Sequence, residues 1–135
     1  MIDAQRLLPR NKHDLDSIPF IVEAGYSAIA PILDELLDWT ADSNWPVARP
    51  LADFLVTLGP PLIDPLSRTL RGTDGARKWH CISLIVRELP VDVLGGLEED
   101  LRRLADHPSE DDRQEEVDIQ AREALLRFER MSRPA

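Results

Sequence analysis

Cysteine is almost absent from this sequence, since Cys81 is the only one among 135 residues. A single cysteine excludes an internal disulfide framework and any metal site built from several cysteines. We therefore predict that Cys81 is a small apolar residue of the core. Long apolar runs are also missing, because no stretch approaches the roughly 18 residues that a membrane-spanning helix needs. The sequence thus predicts a protein that does not act at a membrane.

A leader sequence and the common catalytic motifs are missing as well. Residues 1–6 contain no basic stretch followed by an apolar core, so no secretory signal is visible and we expect a cytoplasmic location. The chain has no glycine-rich phosphate loop, no Gly-x-Ser-x-Gly elbow and no His-Glu-x-x-His helix. We expect no catalytic residue, cofactor or metal. A hydrolase or transferase with an unrecognised site remains the alternative from another class.

Strand patterns are the third absence. No segment alternates apolar and polar residues as a half-buried strand does, and the eleven prolines lie mainly at predicted helix starts and turns. A chain of 135 residues has room for one hydrophobic core. We predict a single all-α domain over residues 1–135, with the last few residues disordered.

What the sequence does contain is a helical pattern written twice. Residues 28–33 read Ala-Ile-Ala-Pro-Ile-Leu and match Leu-Ile-Asp-Pro-Leu-Ser at residues 62–67, which lie 34 positions later. Gly25 and Gly59 are related by the same offset. A repeat of this length is typical of stacked α-hairpins, in which each hairpin buries one face against the next. The repeat predicts about three hairpins that form a short right-handed α-α superhelix.

The spacing of apolar residues places the individual helices. The predicted helices cover about residues 14–23, 27–39, 45–59, 60–71, 76–89, 91–106 and 113 to near the C-terminus. Asp14 or Asp16 is expected to cap the first helix, and Gly25 to end it. That helix is expected to bury a stripe formed by Leu15, Ile18, Ile21 and Val22. Pro50 lies several residues into a predicted helix and predicts a kink there.

The negative charge is concentrated in one segment. The formal net charge is -9, and residues 98–118 carry ten acidic residues against three basic ones. Such a field repels phosphate backbones and favours basic partners, mainly through the association rate. A solvated face that keeps the protein soluble is the simpler interpretation. An acidic immunity or antitoxin-like protein that neutralises a basic toxin or nuclease is the functional alternative.

Residues 29–58 resemble a HEAT repeat, because an apolar helix and an Asp-bearing turn are followed by Trp-Pro-Val-Ala-Arg at residues 45–49. The resemblance continues through Asp74 and the helix that contains residues 78–81. It implies a small HEAT-like superhelix, an architecture in which the second helices of the hairpins form a concave binding surface.

Four stretches resemble the signatures of a small bacterial domain family of unknown function. They are residues 8–14 (Leu-Pro-Arg-Asn-Lys-His-Asp), 37–39 (Leu-Asp-Trp), 42–48 (Asp-Ser-Asn-Trp-Pro-Val-Ala) and 115–118 (Glu-Glu-Val-Asp). The family favours a Trp-Lys-Tyr-Trp stretch where this chain has Arg-Lys-Trp-His at residues 77–80. The resemblance implies no activity.

Two aromatic residues flank a polar turn and are candidate binding anchors. Trp39 and Trp45 lie on either side of residues 42–44, and aromatic residues dominate interface hot spots. The alternative is that both rings clamp the turn against the core while Asp42 and Asn44 satisfy free backbone N–H groups. A partner surface along the second helices would continue toward Lys78. The predicted binding residues are Trp39, Asp42, Asn44, Trp45, Arg49, Asp53, Lys78, Trp79, Glu115 and Glu116.

The other candidate clusters point to weaker hypotheses. The basic residues near the second hairpin turn are Arg68, Arg71, Arg77 and Lys78. Nucleic-acid binding through them is disfavoured by the net charge of -9. The acidic stretch at residues 110–118 has no glycine for a calcium loop. His80 and Cys81 point about 100° apart on a helix, so they do not face one ion, and His13 is expected at the surface.

The sequence therefore favours a cytoplasmic, non-enzymatic protein-binding module of HEAT-like type. The expected partner is another protein, with a basic protein as one option, and the expected state is a monomer or weak homodimer. Nucleic acid is an unlikely partner.

Overall fold

The computed structural model describes residues 3–132, and every regular element in that range is a helix. The all-α prediction is confirmed for these residues. The chain divides into two compact units at the boundary between Leu58 and Gly59, and each is described by itself. A single domain stays a prediction, and the disorder predicted at the end of the chain concerns residues 133–135, outside the described range. No helix within that range is both long and apolar enough to cross a membrane.

The first unit contains three α-helices and two short 3-10 helices. The α-helices are α1 (Ser17–Ile29), α2 (Leu33–Asp38) and α3 (Ala48–Val56). The 3-10 helices are Ala4–Leu7 and Ala30–Ile32. Fully or almost fully buried residues at helical spacing form the core of this unit: Ile21, Ile29, Ile32, Leu36, Val47, Leu51 and Leu55.

Helix α1 differs from its prediction at its beginning. Gly25 has φ 78° and ψ 173°, which are non-helical values, so it interrupts the helix where the sequence predicts its end. The predicted side-chain cap is wrong, because Asp16 makes no capping hydrogen bond and the carboxylate of Asp14 accepts the N–H of Arg10 at 2.9 Å instead. That hydrogen bond holds the pKa of Asp14 below its ordinary value.

The predicted buried stripe of α1 is also largely wrong. Ile21 is fully buried, but Leu15 and Val22 are 49% and 47% exposed, and Ile18 is half-buried. Phe20 is the most exposed of the large apolar side chains, at 65%. Helical spacing identifies residues that share a face, but the number of neighbours on that face decides how many are covered.

The kink predicted at Pro50 is absent from α3. The helix begins at Ala48, so Pro50 is its third residue, and the amide of Leu51 donates to the carbonyl of Val47 at 3.1 Å. N–H groups in a first turn have no partner within their own helix. Proline at this position therefore removes no helical hydrogen bond and the helix continues undisturbed.

The second unit contains six α-helices. They are α4 (Ile63–Leu70), α5 (Gly75–Leu84), α6 (Val91–Gly95), α7 (Glu98–Asp106), α8 (Glu110–Gln114) and α9 (Val117–Ser132). Two 3-10 helices, Pro60–Leu62 and Val86–Glu88, lie before α4 and after α5. The predicted helix over residues 91–106 is interrupted after Gly95, because two consecutive glycines at residues 95–96 have low helix propensity.

The predicted loop at residues 107–112 is partly helical. Ser109 caps α8 by accepting the N–H of Asp112, and the Asp112 carboxylate accepts the N–H of Ser109 in return. This reciprocal capping box stabilises a short helix that apolar periodicity does not reveal. Glu116 then adopts φ 62°, which separates α8 from α9.

Helices α4 and α7 lie side by side in the same direction, with a constant offset of 33 residues between contacting positions. The hydroxyl of Ser67 donates to Asp100 at 2.6 Å, and Nη2 of Arg103 donates to the carbonyl of Leu70 at 3.0 Å. Just before α7, a Cβ on Gly96 would lie 2.6 Å from Cδ1 of Ile63, so a larger residue there would require the Ile63 side chain to shift. Helix α9 returns alongside α7, with Arg122 donating to the carbonyl of Ala105.

Candidate functional site

The two tryptophans of the first unit pack against each other. The ring centroids of Trp39 and Trp45 are 5.9 Å apart in an edge-to-face arrangement with an interplanar angle of 61°. Both side chains are half-buried. The carboxylate of Asp42 accepts the backbone N–H of Asn44 at 2.8 Å, which fixes the turn between the rings. The pair therefore supports the local fold and leaves part of each ring accessible.

Arg49 and Asp53 lie one helical turn apart on α3, and both are exposed. Asn44, in the turn between the two tryptophans, is exposed as well. These residues have mixed charge, so they do not select a partner of one sign.

Lys78 does not form part of an exposed basic patch. Its Nζ lies 2.6 Å from Oδ1 of Asp112, and both side chains are only 4% exposed. Burial opposes ionisation of Asp112, but the hydrogen bonds from Lys78 and Ser109 outweigh it and hold the pKa of the carboxyl below its ordinary value. Lys78 thus joins α5 to α8, and a partner at the surface would not meet its ammonium group. Its binding role stays a prediction, for a side chain that is buried in this contact.

A second contact fixes α8 against the beginning of α5. The carboxylate of Asp111 accepts the backbone N–H of Gly75 at 2.8 Å. A Cβ on Gly75 would lie 2.7 Å from the same carboxylate and 3.1 Å from the carbonyl oxygen of Asp111, so the approach requires glycine. Two adjacent acidic residues, Asp111 and Asp112, are therefore structural.

Three glutamates of this segment face the solvent, whereas Asp118 pairs with Arg122. Glu110, Glu115 and Glu116 are exposed, and Ile119 on the first turn of α9 is 45% exposed. We call these four residues the acidic docking surface. The sequence identified Glu115 and Glu116 as binding residues, and the structure places both of them at the solvent-facing turn between α8 and α9.

A second polar cluster lies in the contact between α4 and α7. Asp100 is buried, and its carboxylate accepts from the Ser67 hydroxyl at 2.6 Å, from Nη1 of Arg103 at 3.0 Å and from Nε of Arg71 at 3.4 Å. Burial raises the pKa of Asp100, but these three donors outweigh it and keep the pKa below its ordinary value of 3.8. The cluster borders a hollow of about 480 Å³ that Asp64 and Glu99 also line.

Sequence reasoning missed this cluster. Arg71 was grouped with a basic patch, and Ser67 and Asp100 were assigned no role. A signal was nevertheless present, since the offset of about one repeat that relates the two copies of the helical pattern also relates Ser67 to Asp100. Extending the repeat alignment to α7 would have placed a carboxylate opposite a hydroxyl.

The other candidate residues are dispersed. His13 is exposed, whereas Trp79 is half-buried and its ring lies edge-on to His80 with centroids 5.0 Å apart. Cys81 is buried, and burial raises the pKa of its thiol to about 12. Residues 3–132 contain no group of three His, Cys, Asp or Glu side chains arranged to hold a metal ion.

The comparisons with known proteins supply a family and no activity. A search of curated proteins gives no match. Residues 7–125 match a protein family described as a domain of unknown function, DUF5071. This match covers most of the chain and includes both tryptophans, the buried ion pair and the Asp100 cluster. The chain belongs to the DUF5071 family of domains of unknown function.

Proposed function

We propose that this protein is a non-enzymatic protein-binding module of HEAT-like type, a short right-handed superhelix of stacked hairpins that acts in the cytoplasm. Its partner is a basic protein that contacts the acidic docking surface formed by Glu110, Glu115, Glu116 and Ile119. The observation that carries the proposal is the exposure of these carboxylates and of an isoleucine on the first turn of α9, which follows them in the chain. An apolar side chain among charges is the composition expected of a small docking surface with a polar rim.

The charge of the whole segment supports a basic partner. Residues 98–118 hold ten acidic residues and three basic ones, while the buried carboxylates of Asp100 and Asp112 are neutralised by their own basic neighbours. The exposed glutamates therefore supply the field that a partner meets first. Such a field accelerates association with a basic surface and becomes weaker as salt screens it.

The fixed position of α8 also favours a binding role. The Lys78–Asp112 pair and the hydrogen bond from Gly75 to Asp111 hold this short helix in one place. Binding to a surface that is already ordered loses less conformational entropy than binding to a flexible acidic tail. The glutamates consequently present a defined arrangement of charge.

The tryptophan turn is the second surface in this proposal. The half-buried rings of Trp39 and Trp45, with Asp42, Asn44, Arg49 and Asp53, offer aromatic area beside polar groups. Aromatic residues of this kind contribute strongly to interfaces when a partner completes their burial.

Charge reversal tests the acidic docking surface. The Glu115→Lys/Glu116→Lys double variant is expected to lose a partner captured from a lysate of the native host at low salt, because each exchange turns attraction into repulsion. High salt is expected to release the same partner from the unaltered protein. Glu23→Lys/Glu88→Lys, which changes two exposed glutamates elsewhere by the same net charge, serves as the control. Equal capture of the partner by both double variants would contradict the proposal.

A further inference from the structure

The hollow between α4 and α7 is lined by side chains of both charges. Asp64 and Ser67 lie on α4 and Arg71 is its C-cap, while Glu99 and Arg103 occupy successive turns of α7. Because the two helices run in the same direction, both acids belong to their beginnings and both arginines to their ends, and the two guanidinium groups reach back to Asp100. The hollow has a volume of about 480 Å³.

The arginine end carries one net positive charge. Arg71 and Arg103 share the single buried carboxylate of Asp100, and its second oxygen accepts from Ser67. Arg71 donates to Asp100 only through Nε, and its side chain is 67% exposed. Among the hydrogen bonds of residues 3–132, none uses the Nη groups of Arg71, so they remain open to an acceptor from outside. A carboxylate matches the planar geometry of these donors.

The acidic end offers two carboxylates to a cation. Asp64 and Glu99 are exposed, and within the described part of the chain neither carboxylate forms an ion pair or hydrogen bond. Asp64 and Arg71 are seven residues apart, which is about 10 Å along a helix. Glu99 and Arg103 have the i,i+4 spacing of a helical ion pair, but Arg103 donates to Asp100 and to the carbonyl of Leu70 instead.

We propose that this hollow binds a small zwitterion that carries both a carboxylate and an ammonium group. The carboxylate would contact Arg71 and Arg103, and the ammonium group would contact Asp64 and Glu99. A dianion would be repelled by the acids and a simple cation by the arginines, so only a ligand with both charges satisfies both ends. ω-Amino acids and the termini of short peptides share this chemistry. The inference is independent of the acidic docking surface and of any protein partner.

The test uses 6-aminohexanoate and triglycine as the two zwitterionic probes, with hexanoate and hexylamine as singly charged controls. Binding is followed by chemical-shift changes in the amides of α4 and α7 during titration. We expect at least one zwitterion to bind in the millimolar range and both singly charged compounds to bind at least about tenfold more weakly, which corresponds to losing one charge-assisted contact. The preferred probe distinguishes ω-amino acids from peptide termini.

Substitutions at each end complete the experiment. Arg71→Gln and the double variant Asp64→Asn/Glu99→Gln are each expected to weaken binding of the zwitterion about tenfold. Arg113→Gln and Asp106→Asn remove exposed charges outside the hollow and are the matched controls. All four variants change exposed side chains, so they are expected to fold. Absence of binding by both zwitterions, equally strong binding of hexanoate or hexylamine, or unchanged binding by the Arg71 variant would overturn the inference.

Discussion

At the scale of single residues, the position of Lys78 illustrates how a charge can belong to the interior. Its ammonium and the carboxylate of Asp112 are removed from water together, and the capping box with Ser109 satisfies the rest of the carboxylate. Desolvation of two ions is costly, so such a pair adds little stability compared with apolar residues of similar size. Removing one member of the pair is strongly destabilising, because the other charge is left buried without an opposite charge beside it.

We predict that Lys78→Met lowers the free energy of unfolding by about 3–5 kcal/mol at neutral pH, since Asp112 would remain buried without its cation. Urea denaturation followed by circular dichroism measures the change. The chain has one other lysine, Lys12, which is exposed and provides the control Lys12→Met with an expected change within about 0.5 kcal/mol. Equal stabilities of the two variants would show that the ion pair does not hold α8.

At the scale of helices and turns, the residue types of a short stretch are sufficient to predict where a helix ends. Gly25 and Gly59 were predicted as breaks, and both have positive φ, of 78° and 76°. The buried positions of α7, Leu101 and Leu104, followed from spacing alone. Helix α8 could not be predicted in this way, because a capping box and a buried ion pair stabilise it and its sequence contains no apolar residue.

Asp100 and Leu15 show a second limit of prediction from sequence, because the burial of each is the opposite of what its residue type indicates. Asp100 is charged but buried, because Ser67 and Arg103 meet it from the neighbouring helix and its own. Leu15 is apolar but 49% exposed, just before the start of α1. In both cases the deciding contacts come from other parts of the chain, and a pattern within one helix does not contain them.

The position of Pro50 in α3 leads to a prediction about the whole helix. Pro50→Ala is expected to change the free energy of unfolding by less than about 1 kcal/mol, because the only loss is the restriction that proline places on the unfolded chain. Asp53→Pro is the matched variant in the helix interior and should cost about 3 kcal/mol or more. Thermal and urea denaturation compare them. A large loss of stability in Pro50→Ala would mean that proline is required at the start of α3.

At the scale of the whole molecule, the strongly negative net charge includes two kinds of carboxylate. Those of Asp100 and Asp112 are buried and ionised, with pKa values below 3.8 that their hydrogen-bond donors maintain. Those of Glu110, Glu115 and Glu116 are exposed and affect encounters with other molecules. The formal charge of -9 counts both kinds equally, although only the second kind determines the electrostatic field at the surface.

The buried carboxylates predict sensitivity to acid. Because their folded-state pKa values are depressed, they stabilise the fold fully above the unfolded-state pKa, and this stabilisation is lost as pH falls from about 5 through the lower folded-state values. Urea unfolding at a series of pH values measures the slope. Asp100→Asn should flatten the acid limb relative to the unaltered protein, whereas Asp106→Asn, at an exposed position on α7, should leave it unchanged. An unaltered slope in the Asp100 variant would contradict the assignment.

The burial of Cys81 has a consequence for how copies of this protein meet. With a thiol pKa of about 12, the reactive thiolate is a very small fraction of the native protein near neutral pH, and the side chain is only 7% exposed. Oxidising conditions therefore have no accessible sulfur through which to cross-link two folded molecules. A dimer observed without reducing agent would have to be held by noncovalent contacts, and a covalent one would report that α5 had opened.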